Sequence, residues 1–271
     1  LAATAYAQAG ALSVSGTARM EYQSSKTSAT ASTDSFADNS SLVFSGSGEL
    51  DNGFTVSMYQ TQAGGSQTSQ GVTLDMGDMG KLSLMDGANA GGIATISDMV
   101  PNGGEQPWDD IGVTGEHGTP EQGVASPHSG NRLAYSTTAG GATISAQMDF
   151  AQNSPTTSLA IQMPNLVEGL NVGAGIATDQ DTATTEQDIE TYFVTYAMGS
   201  VSVGYQFTEV DATAANEDIE RTAYGISFAV NDNMSVGYGV SDVEFEEFTP
   251  DEESSGLGMT YTSGGMTVGV Q

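Results

Sequence analysis

The sequence alternates between apolar and polar residues along most of its length, with a period of two residues rather than 3.6. In residues 11–23, Leu12 and Val14 lie at one parity, whereas Ser13 and Ser15 lie at the other. Successive side chains of a β-strand point to opposite faces of its sheet, so this pattern predicts strands with one apolar and one polar face. The template recurs in roughly fifteen segments, and we therefore predict an all-β fold.

The predicted connections between strands alternate between short and long. The short ones are rich in turn-forming residues and cover 51–53, 77–80, 139–141, 198–200, 231–233 and 263–265. The long ones are acidic and cover 179–190, 209–220 and 244–253. Short turns at one end of the strands and long loops at the other are typical of an antiparallel transmembrane β-barrel, in which the apolar face of each strand contacts lipid.

Acidic residues greatly outnumber basic ones. The 271 residues include 34 Asp and Glu but 5 Lys and Arg, which gives a formal net charge of -29 at pH 7. Nucleic-acid binding depends on basic patches, so this balance excludes it. Repulsion among so many carboxylates destabilises the fold less when they lie in solvated loops and a water-filled interior. Because cysteine is absent, no disulfide scaffold and no Cys-based metal site can form.

The first residues have the character of an export signal. Residues 1–9 are small and mostly apolar, and the triplets 5–7 and 7–9 both fit the small-x-small pattern of a signal-peptidase site. We predict that 1–9 are the remainder of a secretory signal peptide and that the barrel comprises 10–271. The alternative is a disordered or strand-forming N-terminus.

One connection, residues 86–130, is far longer than the others and shows no clear alternation. A structureless stretch of this length usually carries a function or is disordered. It contains both histidines, His117 and His128, but their spacing matches no recognisable metal site. No Ser-His-Asp order stands out either, so we do not expect an enzyme.

Several stretches resemble the Gram-negative general diffusion porins of alphaproteobacteria. The first strand of that family is similar to LSVSGTARMEYQ at 12–23, and its next hairpin to SLVFSGSGELDNGFTVSMYQT at 41–61. The sequence GVTLDMGDMGKLSLMDGANA at 71–90 resembles the strand, turn and strand that precede the pore loop of the family. The resemblance covers nearly the whole chain, and its specificity comes from the order and spacing of these motifs.

The resemblance implies an outer-membrane homotrimer of 16-stranded barrels that passes small polar solutes by passive diffusion. It also implies that the connection at 86–130 folds into the lumen and narrows it, and that lipid and lipopolysaccharide surround the barrel. Members of the family end on a strand with a terminal aromatic residue, whereas this sequence ends at Gln271 within the fifteenth predicted strand. The end of the fifteenth strand and the whole sixteenth strand are therefore expected to be missing.

Charged side chains at the narrowest part of such a pore set its selectivity. The parity of the strands places three cations on the lumen side, and the long connection supplies opposing acids; these constriction candidates are Arg19, Lys81, Arg132, Asp98, Glu105, Asp109 and Asp110. The alternative is that the arginines only pair with nearby carboxylates and hold the loop. Because cations are so few, we expect a preference for cations and for neutral or zwitterionic solutes.

The acidic loops raise the question of bound divalent cations, since Ca²⁺ prefers carboxylate oxygens. The candidate ligands are Asp179, Asp181, Glu186 and Asp188. No EF-hand spacing is present, and a solvated charged loop is the alternative; we expect no other cofactor. Two rival functions stay open at this point: a non-conducting outer-membrane barrel acting as adhesin or scaffold, and a secreted acidic β-repeat protein that binds Ca²⁺.

Overall fold

The computed structural model of the chain describes residues 12–25, 33–38, 40–86, 91–97, 99–104, 131–149, 156–182, 185–212, 218–246 and 251–270. The predicted signal remnant at 1–9 lies outside these residues. Within the described part, no helix has the length and apolar character needed to cross a membrane.

Seventeen strands form in the described residues, and two short 3-10 helices accompany them at Gly77–Met79 and Gly92–Ile96. The first seven strands are β1 Leu12–Thr17, β2 Met20–Ser25, β3 Thr33–Asp38, β4 Ser41–Glu49, β5 Thr55–Ala63, β6 Ser66–Asp75 and β7 Lys81–Asp86. The next five are β8 Asn131–Ala139, β9 Ala142–Asp149, β10 Thr157–Val167, β11 Leu170–Thr182 and β12 Thr185–Met198. The last five are β13 Val201–Ala212, β14 Ile219–Asn231, β15 Met234–Phe245, β16 Glu252–Ser263 and β17 Met266–Val270.

Fifteen of these strands belong to one antiparallel sheet whose order follows the chain, from β1 through β4 to β17. Strands β2 and β3 form a separate two-stranded sheet. The all-β prediction is therefore confirmed. Its strands are rich in Val, Thr, Tyr and Ile, residues whose branched or aromatic side chains suit a pleated surface.

The alternating stretch at 11–23 predicted one continuous strand, and this detail is wrong. The stretch is interrupted at Ala18 and Arg19, after which β2 pairs with β3, whereas β1 pairs with β4 through contacts such as Val14 with Phe44. Alternation determines which face a side chain occupies, but it does not specify the neighbouring strand.

The predicted short turns are confirmed. At Asp51–Gly53, for example, the N–H of Gly53 donates to the carbonyl of Leu50 at 2.8 Å. Gly53 and Gly140 adopt φ values of 83° and 60°, a left-handed conformation that glycine accommodates without a steric penalty.

The acidic long connections are shorter than predicted because the strands continue into them. Strand β11 runs to Thr182 and β12 begins at Thr185, so most of the predicted loop at 179–190 is a paired hairpin in which Thr178 faces Asp188. The side chains there are polar at both parities, and an apolar-polar template does not detect such strand ends.

Contacts between Cα atoms divide the chain into two compact units. Unit 1 comprises Leu1–Ala88 and Ser129–Ala134, and unit 2 comprises Asn89–His128 and Tyr135–Gln271.

In unit 1, the alternation separates an apolar and a polar face of the strands. Met58, Val72 and Leu84 lie in register across β5, β6 and β7, and each exposes more than a third of its surface. On the other face, the hydroxyls of Thr73 and Ser83 form a hydrogen bond of 2.8 Å.

In unit 2, the apolar face is exposed and the polar face is buried, the reverse of a soluble β-sandwich. Exposed apolar side chains include Leu159, Ile161, Ile176, Val194, Tyr224, Ile226 and Tyr238. Buried side chains of the opposite parity include Ser145, Gln147, Ser158, Thr191, Gln206, Thr208, Arg221 and Ser241. Buried polar groups and exposed apolar patches are the informative exceptions to ordinary burial. This distribution is the one expected for a membrane barrel, in which lipid contacts the apolar face.

Candidate functional site on the polar face of unit 2

The described residues 91–97 and 99–104, together called the 91–104 segment, lie on the polar face of unit 2. They follow β7 in the chain and include the 3-10 helix Gly92–Ile96. Gly92 and Ile93 are buried against β9 and β10, where their N–H groups donate to Ser145 Oγ at 2.9 Å and Ser158 Oγ at 3.3 Å. The hydroxyls of the wall thus cap the backbone donors at the start of the short helix.

The wall also binds the far end of this helix. Gln162 Nε2 donates to the carbonyl of Thr95 at 3.0 Å, and Gln206 Nε2 donates to the carbonyl of Ile96 at 2.7 Å. Gln206 Oε1 accepts a further hydrogen bond from the N–H of Met99 at 3.1 Å. The backbone of the segment, which has no strand partner in the described residues, is therefore satisfied by side chains of the sheet.

An apolar cluster anchors the 3-10 helix of the segment to this polar face. Ile93 and Ile96 are fully buried and pack against small and apolar side chains of β10 to β13, namely Ala160, Ala177, Ile189, Phe193 and Val210. Burying an isoleucine side chain contributes about 1.5–3 kcal/mol. The cluster is a local apolar anchor within a polar surface.

A row of glycines on the same face leaves room for the segment. A Cβ built on Gly175 would lie 2.8 Å from Ile93, closer than real Cβ contacts, and 3.0 Å from Ile96, which is tighter than most of them. Side chains at Gly204 and Gly225 would overlap Pro101, and one at Gly237 would overlap the backbone at Gly103; Gly258 also lies under the segment. Glycine permits close approach of two backbones, so this row allows the segment to lie directly on β11 and β13 to β16.

The three predicted constriction cations all lie in unit 1. Arg132 lies in unit 1 and is 5% exposed. Arg19 pairs with Glu21 at 3.1 Å, and Lys81 pairs with Asp75 at 3.0 Å beside the turn that joins β6 to β7. The predicted acids Asp98, Glu105, Asp109 and Asp110 lie outside the described residues.

Arg221 is a buried cation that sequence reasoning missed. It lies on β14 at the parity of the polar face, is 1% exposed, and its Nε donates to Ser241 Oγ at 2.9 Å. The signal that could have found it is the alternation itself, because Arg221, Ala223 and Gly225 share one parity and Tyr224 lies at the other. Arg221 follows directly on the predicted loop at 209–220, and this position hides its place in the alternation.

The candidate Ca²⁺ ligands lie on β11 and β12. Asp188 is exposed and accepts a hydrogen bond from Thr178 Oγ1 at 2.8 Å. The side chains of Asp179, Asp181 and Glu186 are not among those described, although their backbones belong to β11 and β12. Among the described residues, no group of three or more His, Asp or Glu side chains is placed to hold a metal ion.

Comparisons with known proteins agree with this architecture. The family model for Gram-negative porins matches residues 1–270. No curated protein sequence matches the chain.

Several solved structures share the fold at low sequence identity. The trimer form of OmpT, an outer membrane protein of Vibrio cholerae, has a TM-score of 0.70 and 14% identity, covering 94% of this chain and 86% of that one. An anion-selective porin from Comamonas acidovorans has a TM-score of 0.67 and 14% identity, with coverages of 94% and 86%. Salmonella typhi OmpF in complex with daunomycin has a TM-score of 0.65 and 11% identity, with coverages of 95% and 88%. The family and the fold indicate a channel, and the chain belongs to the Gram-negative porins, the β-barrel proteins of the outer membrane.

Proposed function

We propose that the polar face of unit 2 lines a water-filled passage and that the 91–104 segment narrows it. The observation that carries this proposal is the inverted burial of unit 2, in which the segment covers a wall of Ser, Thr and Gln side chains. Polar walls of this kind replace part of the hydration of small solutes and ions. The passage accordingly admits small hydrophilic solutes by passive diffusion.

Liposome swelling distinguishes a diffusion channel from the main rival, a non-conducting adhesin or scaffold. Vesicles that contain the refolded protein are diluted into isosmotic solutions of neutral sugars of increasing size. A diffusion channel gives swelling rates that fall steeply as the sugar grows. Vesicles that swell no faster than protein-free vesicles with the smallest sugar would exclude the channel and leave the scaffold.

The charge of the protein leads us to propose a preference for cations. The chain has 34 acidic and 5 basic residues, and two of the basic ones, Arg132 and Arg221, are buried. Charged side chains at close quarters determine which ion enters a pore. The fold itself does not decide the sign, since one similar structure is described as an anion-selective porin.

Reversal potentials in a planar bilayer test this preference. Across a KCl gradient, we expect a potential of the sign produced by faster K⁺ permeation. Arg221→Gln removes a positive charge from the polar face of unit 2 and should therefore increase the ratio of K⁺ to Cl⁻ permeability. A reversal potential of the sign produced by faster Cl⁻ permeation in the unmodified protein contradicts the cation preference.

We also propose that the protein acts as a homotrimer in contact with outer-membrane lipid and lipopolysaccharide. Support comes from the family and from the trimer form of OmpT of Vibrio cholerae. Light scattering coupled to size exclusion in detergent should give three copies of the chain after the detergent mass is subtracted. A monomeric mass at every concentration tested contradicts the trimer.

A further inference from the structure

A single side chain, Gln206, holds the 91–104 segment at two points. Its Nε2 donates to the carbonyl of Ile96 at 2.7 Å, and its Oε1 accepts from the N–H of Met99 at 3.1 Å. The side chain is 1% exposed, so water cannot easily replace either bond. One amide therefore binds the last residue of the 3-10 helix and the backbone of Met99 together.

The orientation of this amide is set by a hydroxyl network behind it. Thr191 Oγ1 donates to the carbonyl of Phe207 at 2.8 Å, which uses its one proton. Toward Gln206 Nε2, at 3.4 Å, and toward Thr208 Oγ1, at 3.0 Å, Thr191 Oγ1 must then accept. An acceptor at this position requires the NH₂ side of the amide to face Thr191. The oxygen is thereby directed at Met99.

The same strand provides the space beside this contact. Gly204 precedes Gln206 by two residues on β13 and lies under Pro101, where any Cβ would overlap the ring. Gly225 lies next to Gly204 on β14 and contacts Val100 and Pro101. No side chain of these two glycine positions therefore separates Val100 and Pro101 from the wall. Beside them, Gln206 binds the backbone N–H of Met99.

We propose that Gln206 is a positioning residue of the channel, whose two-point contact fixes the distance of the 91–104 segment from the wall and thereby the cross-section of the passage. This inference rests on the proposed diffusion function. On this proposal, one buried amide, and not the apolar cluster alone, keeps the segment at a constant distance from the wall.

Two readouts test this role, one of which does not depend on conduction. Gln206→Met retains the length of the side chain but neither hydrogen bond, and Gln206→Asn retains the amide but is too short to reach both partners. Gln60→Met, on the apolar face of unit 1, is the matched control, because the side chain of Gln60 donates to Gln67 Oε1 within the same unit. The chain lacks cysteine, so Ser97→Cys reports the position of the segment through its rate of reaction with a water-soluble thiol reagent.

In both Gln206 variants, the labelling rate at position 97 should rise by about fivefold or more, the change in an equilibrium that one lost hydrogen bond produces. Single-channel records should show a second, larger conductance level that the unmodified protein rarely visits. Gln60→Met should leave both the labelling rate and the conductance unchanged. Heat-modifiable migration of each variant on gels checks that it has folded.

Labelling rates and conductance levels that stay unchanged in both folded Gln206 variants overturn the positioning role. If the unmodified protein carries no current, the proposed diffusion function fails instead. The labelling rates distinguish these two failures, because they report whether Gln206 holds the segment even when the protein carries no current.

Discussion

Replacing Ile226 by arginine should destabilise the folded protein in a bilayer by about 2–4 kcal/mol, the cost of a cation on the lipid face near the midplane. Ile226 is 46% exposed and lies on the apolar face of β14 between Tyr224 and Phe228. In a water-soluble protein, such a substitution at an exposed position would have little effect. The expected loss therefore depends on lipid, not water, contacting this face.

Ser202→Arg is the matched control on the opposite face. Ser202 lies on β13, the neighbouring strand, at the parity of the polar face and beside the turn that follows Met198. An arginine there can reach water, so we expect unfolding by guanidinium in lipid vesicles to be nearly unchanged. Equal tolerance of arginine at both positions would contradict the assignment of the two faces.

Truncation of the apolar anchor has the second large effect that we expect. Ile96→Ala removes a fully buried side chain from the cluster with Ala160, Ile189 and Phe193. Substitutions of this kind reduce stability by about 2–5 kcal/mol. Here much of that loss weakens the attachment of the 91–104 segment to the wall. The conductance should rise and become noisy, because the segment leaves the wall for part of the time.

Ile161→Ala removes the same atoms from the exposed face of β10 and serves as the control. Its conductance should match that of the unmodified protein, since Ile161 does not contact the segment within the described residues. If Ile96→Ala and Ile161→Ala give the same quiet current as the unmodified protein, the anchor does not hold the segment.

Sequence reasoning predicted the strands and their faces because parity is a local property of a strand. The alternation of Tyr224 and Ile226 with Ala223 and Gly225 is visible without any structure. The pairing of β2 with β3 was missed, because the choice of a partner strand depends on residues distant in the chain.

The position of the 91–104 segment on the sheet was also unpredictable from the sequence, but for a different reason. The segment has no period, and its backbone is bound by side chains more than fifty positions away, such as Ser145 and Gln206. In the sequence, Gly204 and Gly225 are indistinguishable from any other glycine inside a strand. Their role becomes clear only when Pro101 and Val100 are found above them.

Candidate site residues were predicted by charge and parity, and this reasoning was incomplete. It identified Arg132, which is buried. It did not identify Arg221, and it gave no weight to Gln206, because an uncharged amide in a polar strand carries no signal of its own. Contacts with the segment, not residue type, single out such a position.

Single-channel recording of the unmodified protein in a planar bilayer tests the central claim most directly. A water-filled passage along the polar face predicts discrete current steps whose conductance rises almost in proportion to the KCl concentration. Insertion of the folded protein without any current step, at every voltage and salt concentration, would contradict the account.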